Sequence, residues 1–110
     1  MELGEVDKGT HVVFAPEGKF NMVAAPQLKE RIDDLVAAGK SRVLVDLHRV
    51  DFIDSSGLGA LVGGIKVTRK QGGDLRVAAA GDQVRAVLKL TNLDRILAPY
   101  PTVEDALHDW

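Results

Sequence analysis

The sequence predicts an α/β sandwich, a sheet covered by helices. Short β-branched runs such as Arg42-Val-Leu-Val-Asp46 and Leu75-Arg-Val-Ala-Ala79 alternate with segments of helical period. Glycine breaks, at Gly39 and at Gly72-Gly73, separate the two kinds of segment. At 110 residues and 45% hydrophobic content the chain can build one core without metal or disulfide staples, so a single domain over 1–110 is expected.

Residues 1–10 are polar and without a period, which predicts a frayed lead-in. His11 to Ala15 reads as a short strand ended by Pro16-Glu-Gly18, with Lys19 to Asn21 returning as its hairpin partner. From Ala25-Pro26 the period changes, because proline suits a first helical turn and Leu28, Ile32, Leu35 and Val36 share one face. Gly39 is the natural stop.

Arg42 to Asp46 is the strongest strand, and Leu47 to Ile53 either extends it or loops onward. A helix with Leu58, Leu61, Val62 and Ile65 on one face then runs to about Gln71. Leu75 to Ala79 is the next strand. Gly81-Asp82 opens a helix with Val84, Val87, Leu88 and Thr91 inward and Asn92 near its end. Arg95 to Ala98 reads as a last strand, closed by Pro99-Tyr-Pro101. Thr102 with Asp105 resembles a capping box for a final helix that turns Val103, Ala106, Leu107 and Trp110 inward.

Composition narrows the function. Fourteen Lys and Arg against sixteen Asp and Glu, scattered along the chain, give a net charge of −2 and no support for nucleic-acid binding. No run approaches a membrane span, the first residues lack a secretory pattern, and cysteine is absent, so a cytoplasmic protein is expected. His11, His48 and His108 lack metal-ligand spacing, and neither a metal nor a cofactor is expected. Asp46 closes its strand either beside the site or toward solvent. Lys66, Arg69 and Lys70 read as the solvated face of their helix, able to meet an acidic partner.

Asp51-Phe-Ile-Asp-Ser-Ser-Gly-Leu-Gly59 is the candidate site. Asp54, Ser55 and Ser56 stand where a strand gives way to a helix, so all three are good caps, and the free N–H groups there suit an anion. Simple capping is the bland alternative, yet two of the chain's three serines fall at this one junction. Gly57, Gly59, Ala60, Gly63 and Gly64 crowd the helix that follows, although each interior glycine costs about 1 kcal/mol against alanine. Gly57, Ala60, Gly63, Gly64 and Val67 share a small-residue face that either packs against a neighbour or is a shallow strip for a partner's helix. A serine hydrolase is disfavoured, since no Gly-x-Ser-x-Gly elbow surrounds Ser55 or Ser56 and no histidine is poised as base.

Val43 to Gly59 resembles the signature of bacterial anti-sigma factor antagonists, the STAS-domain proteins of partner-switching pathways. Gly18 to Leu28 is similar to the family's Gly-x-x-Asp-x-x-x-Ala-Pro-x-Leu segment, and Gly72 to Val77 to its following strand. The resemblance implies a STAS-type sandwich, a mixed sheet of about four to five strands covered by about four helices. It implies a non-catalytic switch that binds a serine-protein kinase and anti-sigma factor of histidine-kinase-like ATPase fold. That kinase would phosphorylate Ser55, the complex would dissociate, and a PP2C-type phosphatase would restore binding. Asn21, Asp54, Ser56 and Gly57 would surround the phosphoacceptor, and Ser55, Ser56, Gly57, Gly59, Ala60, Gly63, Gly64 and Val67 would meet the partner. A fixed scaffold or lipid-transport accessory module, in which the serines only cap, is the alternative within the same family. Two departures stand out. Asn21 replaces the usual acidic residue, and Ala24 replaces the usual Ser or Thr before Ala-Pro, so either Asn21 or the neighbourhood of Met22 caps the first helix or its end frays.

Overall fold

The computed structural model describes residues 3–110. Its elements are Val6–Asp7 (β1), Val12–Phe14 (β2), Gly18–Phe20 (β3), Ala24–Ala37 (α1), Arg42–Asp46 (β4) and Val50–Ile53 (β5). Ser55–Lys70 (α2), Asp74–Ala78 (β6), Asp82–Leu90 (α3) and Val103–Leu107 (α4) follow, with a 3-10 turn at Leu93–Arg95 ahead of α4. The mixed sheet has the order β1-β2-β4-β6, with β1 antiparallel to β2 and the other pairings parallel. β3 and β5 form a separate parallel pair.

The register sets the two faces. Val12, Val43 and Leu75 form one row across the sheet and Phe14, Val45 and Val77 another, all buried in the core that α1 and α2 complete. Leu44 and Ala78 point the other way, into a smaller cluster with Ala106 of α4 and the half-buried Val13, Tyr100 and Trp110. β4 is therefore covered on both faces, which is why Val43-Leu44-Val45 is a continuous apolar run rather than an alternating one.

Four expectations need correction. The lead-in holds a short strand that the sequence reading did not place, with residues 1 and 2 lying outside the described residues. β1 pairs with β2, Ala15 N donates to Leu3 O at 2.7 Å, and Arg31 holds Glu5 with bonds of 2.7 and 2.8 Å. Both side chains of β1 are exposed, so this edge strand carries no hydrophobic period. The hairpin does not form either, because β2 and β3 belong to different sheets and each pairs with a strand later in the chain. Arg95 to Ala98 is no strand. The chain passes through the 3-10 turn and makes only an isolated bridge between Ala78 and Tyr100, where the flanking prolines lack the N–H that a ladder needs. Thr91, finally, is exposed at the end of α3 and donates to Val87 O at 2.8 Å instead of facing the core. Leu47 to Ile53 resolves into a turn and a separate strand, β5, with Val50 N donating to Leu47 O at 3.0 Å.

The remaining elements lie close to their predicted limits. α1 begins one residue early, β4 matches, and α2 ends at Lys70 before Gly72 turns at φ +82°. Thr102 Oγ1 accepts from Asp105 N at 3.1 Å, which caps α4.

Candidate functional site

Asp54 has extended backbone and its Oδ1 accepts from Gly57 N at 3.0 Å, while its carbonyl accepts from Leu58 N at 3.0 Å. This is a standard N-cap geometry. The N–H groups of Ser55 and Ser56 find no acceptor among the described residues. Ser55 is exposed as the first residue of α2, and Ser56 is half-buried beside it. An exposed hydroxyl therefore stands next to free donors and the positive end of a 16-residue helix.

The turn is fixed from below by β3. A Cβ built on Gly57 would lie 2.4 Å from Phe20 O and 2.8 Å from Ile53 Cγ1, so the first turn of α2 rests directly on the end of β3. Asp54 N adds a long hydrogen bond of 3.4 Å to the same Phe20 carbonyl. Asn21 follows Phe20, and its Oδ1 accepts from Val23 N at 3.0 Å and Ala24 N at 3.4 Å. Asn21 thus supplies the cap that Ala24 cannot, and α1 and α2 both begin at this junction.

The small-residue face divides. Gly57 and Gly64 pack against neighbours, Gly64 so closely that a Cβ would lie 2.5 Å from Leu75 Cδ1 and 3.1 Å from Ile32 Cδ1. Gly59 and Gly63 have nothing within 4 Å of where a Cβ would sit. With Met22, Ala25, Pro26, Lys29, Ser56 and Ala60 they line an apolar groove between α1 and α2 that starts beside the serines. A narrower continuation past Gly63 reaches Val67. Met22 and Val23, 70% and 64% exposed, stand at the groove's open end.

Of the other candidates, Asp46 accepts from His48 N at 3.1 Å and from Nδ1 at 2.8 Å, which ties the β4–β5 turn. Arg69 pairs with Asp74 at 2.9 Å, while Lys66 and Lys70 are exposed. Trp110 stacks on Arg76, 4.3 Å from ring centroid to guanidinium, and lies 6.1 Å from the His11 ring. Among the described residues no cluster of His, Cys, Asp or Glu could hold a metal, and no helix is long and apolar enough to cross a membrane.

Sequence reasoning missed Gln83. Its Oε1 accepts from Ile53 N at 3.0 Å and its Nε2 donates to Ile53 O at 3.3 Å, so α3 grips the residue immediately before the Asp54 cap. The available signal was a polar residue in the first turn of a helix beside the inward Val84.

A model of the STAS domain matches residues 5–106. The chain belongs to the STAS domain family. This STAS domain is 31% identical over 80 residues to the anti-sigma-B factor antagonist of Bacillus subtilis, covering 73% of the chain and 72% of that relative. The crystal structure of an anti-sigma factor antagonist from Mycobacterium paratuberculosis superposes with a TM-score of 0.81 at 34% identity, over 94% of this chain and 88% of that one. The Bacillus cell fate determinant SpoIIAA in its phosphorylated form shares the fold, with a TM-score of 0.74 at 22% identity over 94% of each chain. The four-stranded mixed sheet, the β3–β5 pair and the four helices are thus the STAS sandwich.

Proposed function

We propose that this STAS domain is an anti-sigma factor antagonist whose docking is switched by phosphorylation of Ser55. Unphosphorylated, it binds a serine-protein kinase of histidine-kinase-like ATPase fold that doubles as an anti-sigma factor, and so frees the factor's target. The kinase esterifies Ser55 and the complex separates. A PP2C-type phosphatase returns the bare serine, all within the cytoplasm. The names of the relatives support the antagonist role. The observation that carries the switch is the exposed Ser55 hydroxyl at the N-terminus of α2, beside two unengaged N–H groups.

A phosphoryl group adds about −1.5 to −2 charges. The helix end tolerates that charge, so its disruptive effect falls on the docked partner. Two like charges about 4 Å apart at an effective dielectric near 20 repel by roughly 4 kcal/mol, and each 1.4 kcal/mol is tenfold in affinity. Partial screening still leaves a large effect. The groove bordered by Ser56, Gly59, Ala60 and Gly63, with Met22 at its mouth, is the surface a partner helix would occupy. Gly57 and Gly64, being packed, contribute by letting α2 settle close to β3 and β6.

Incubation with the cognate kinase and ATP should add one phosphate on Ser55 by intact mass. Ser55→Ala should be retained by the kinase and Ser55→Asp released. A chain left unmodified by a kinase verified as active would instead indicate a fixed scaffold or lipid-transport accessory.

A further inference from the structure

We infer that Gln83 is a positioning residue for Ser55, fixing the end of β5 so that the hydroxyl is presented in one geometry; the inference rests on the phosphoacceptor reading above. β5 has β3 on one edge and α3 against it on the other. At its last residue the two main-chain groups of Ile53 are both taken by one side-chain amide, which acts as a surrogate strand residue. Both bonds are half-buried, so without Gln83 water replaces them only in part and the two groups lose their fixed partner.

The packing of Gly57 on Phe20 and Ile53 sets how close the turn lies to β3, but it supplies no partner for Ile53 N or O. The next main-chain tie, Asp54 N to Phe20 O, is 3.4 Å long, near the limit of a hydrogen bond. The Asp54 side chain caps α2 through Gly57, which ties the cap to the helix and leaves Ile53 N and O to another partner. Gln83 ties the residue before the cap to α3, two residues ahead of Ser55. α3 is anchored independently by Val84 and Leu88, both fully buried, so a change at Gln83 leaves the helix seated while releasing the turn. The match between donor and acceptor is specific to a primary amide. Leucine keeps bulk and loses both bonds. Glutamate still accepts from Ile53 N, but an ionised carboxylate has no proton to donate to Ile53 O.

Amide hydrogen exchange by NMR and steady-state phosphorylation by the cognate kinase, each on wild type, Gln83→Leu and Gln83→Glu, test this. Gln83→Leu should raise exchange at Ile53 roughly tenfold or more, with a smaller rise through Leu58, while β6 amides move only with global stability. Phosphorylation of Ser55 should fall several-fold with the loss in kcat rather than KM, since a mis-set hydroxyl binds but reacts poorly. Gln83→Glu should lose activity as well despite its matched size, and it serves as the second variant if leucine prevents folding. Unchanged exchange at Ile53, or a loosened turn with kcat intact, overturns the inference. Should wild type go unmodified by an active kinase, the phosphoacceptor reading itself fails and Gln83 has no Ser55 chemistry to position. The exchange arm would then still decide whether it holds the turn.

Discussion

At Gly57 a methyl group has no room: the nearest atom it would meet is a backbone oxygen, Phe20 O at 2.4 Å, which cannot move aside without shifting β3. Gly57→Ala should therefore destabilise the fold by about 1–3 kcal/mol, the usual range for overpacking. Gly63→Ala meets nothing within 4 Å and should stabilise by up to about 1 kcal/mol, the helix-propensity difference. Urea unfolding of the two variants checks both signs, and equal effects would remove the distinction between packed and open glycines. Gly63→Gln should keep stability near wild type yet weaken partner binding, because it fills the groove beside Ser56. The excess of small residues on α2 was visible in the sequence. Helical spacing puts Gly57, Gly63 and Gly64 on one side but does not reveal what faces each. Phe20 and Leu75, from strands far apart in sequence, decide that.

The start of α1 depends on a side chain outside the helix. Asn21 Oδ1 accepts from Val23 N just ahead of α1 and from Ala24 N at its first residue, so Asn21→Ala should cost about 1 kcal/mol in thermal or urea unfolding. Asn21→Asp should keep the cap and add about 0.3–1 kcal/mol from the helix dipole. It would also place a charge at the junction where α2 begins, so stability would rise without any gain in docking. A rise in partner affinity would show that local negative charge helps docking. The need for a cap was legible because Ala24 could not do the work, but only the structure selects Asn21 over its neighbours or a frayed end. β4, α2 and the Thr102 cap were legible because each rests on neighbours in sequence. β1 and the parting of β2 from β3 were not. Val6 and Asp7 are both exposed, and the partners of β2 and β3 lie about thirty residues downstream, where no local pattern can indicate them. Gln83 was missed because its partner is a main-chain pair thirty residues earlier.

Across the whole molecule, the two chain ends are clipped to the body by carboxylates. Hydrogen bonds from Arg31 hold Glu5 below its usual range, Lys40 does the same for Asp7, and Arg76 for Asp109. A carboxyl whose folded pKa is depressed contributes fully above its unfolded pKa and is lost as pH falls through the lower folded value. β1 and the α4 end should therefore loosen first below about pH 4, and salt should weaken the effect because these groups are exposed. Melting followed from pH 5 to 2 should show a flatter acid limb for Asp109→Asn, and an unchanged limb would mean that this pair adds nothing. Ser55 lies outside these clips, and its modification should be silent in stability. The phosphate would meet free N–H groups at the start of α2, with the core beneath untouched. Phosphorylated and bare protein should then melt within a few degrees of each other, a spread below about 1 kcal/mol for a domain of this size. Loss of partner binding with an unchanged melt would place the switch at the interface. A drop of ten degrees or more would mean instead that phosphorylation acts by unfolding the turn.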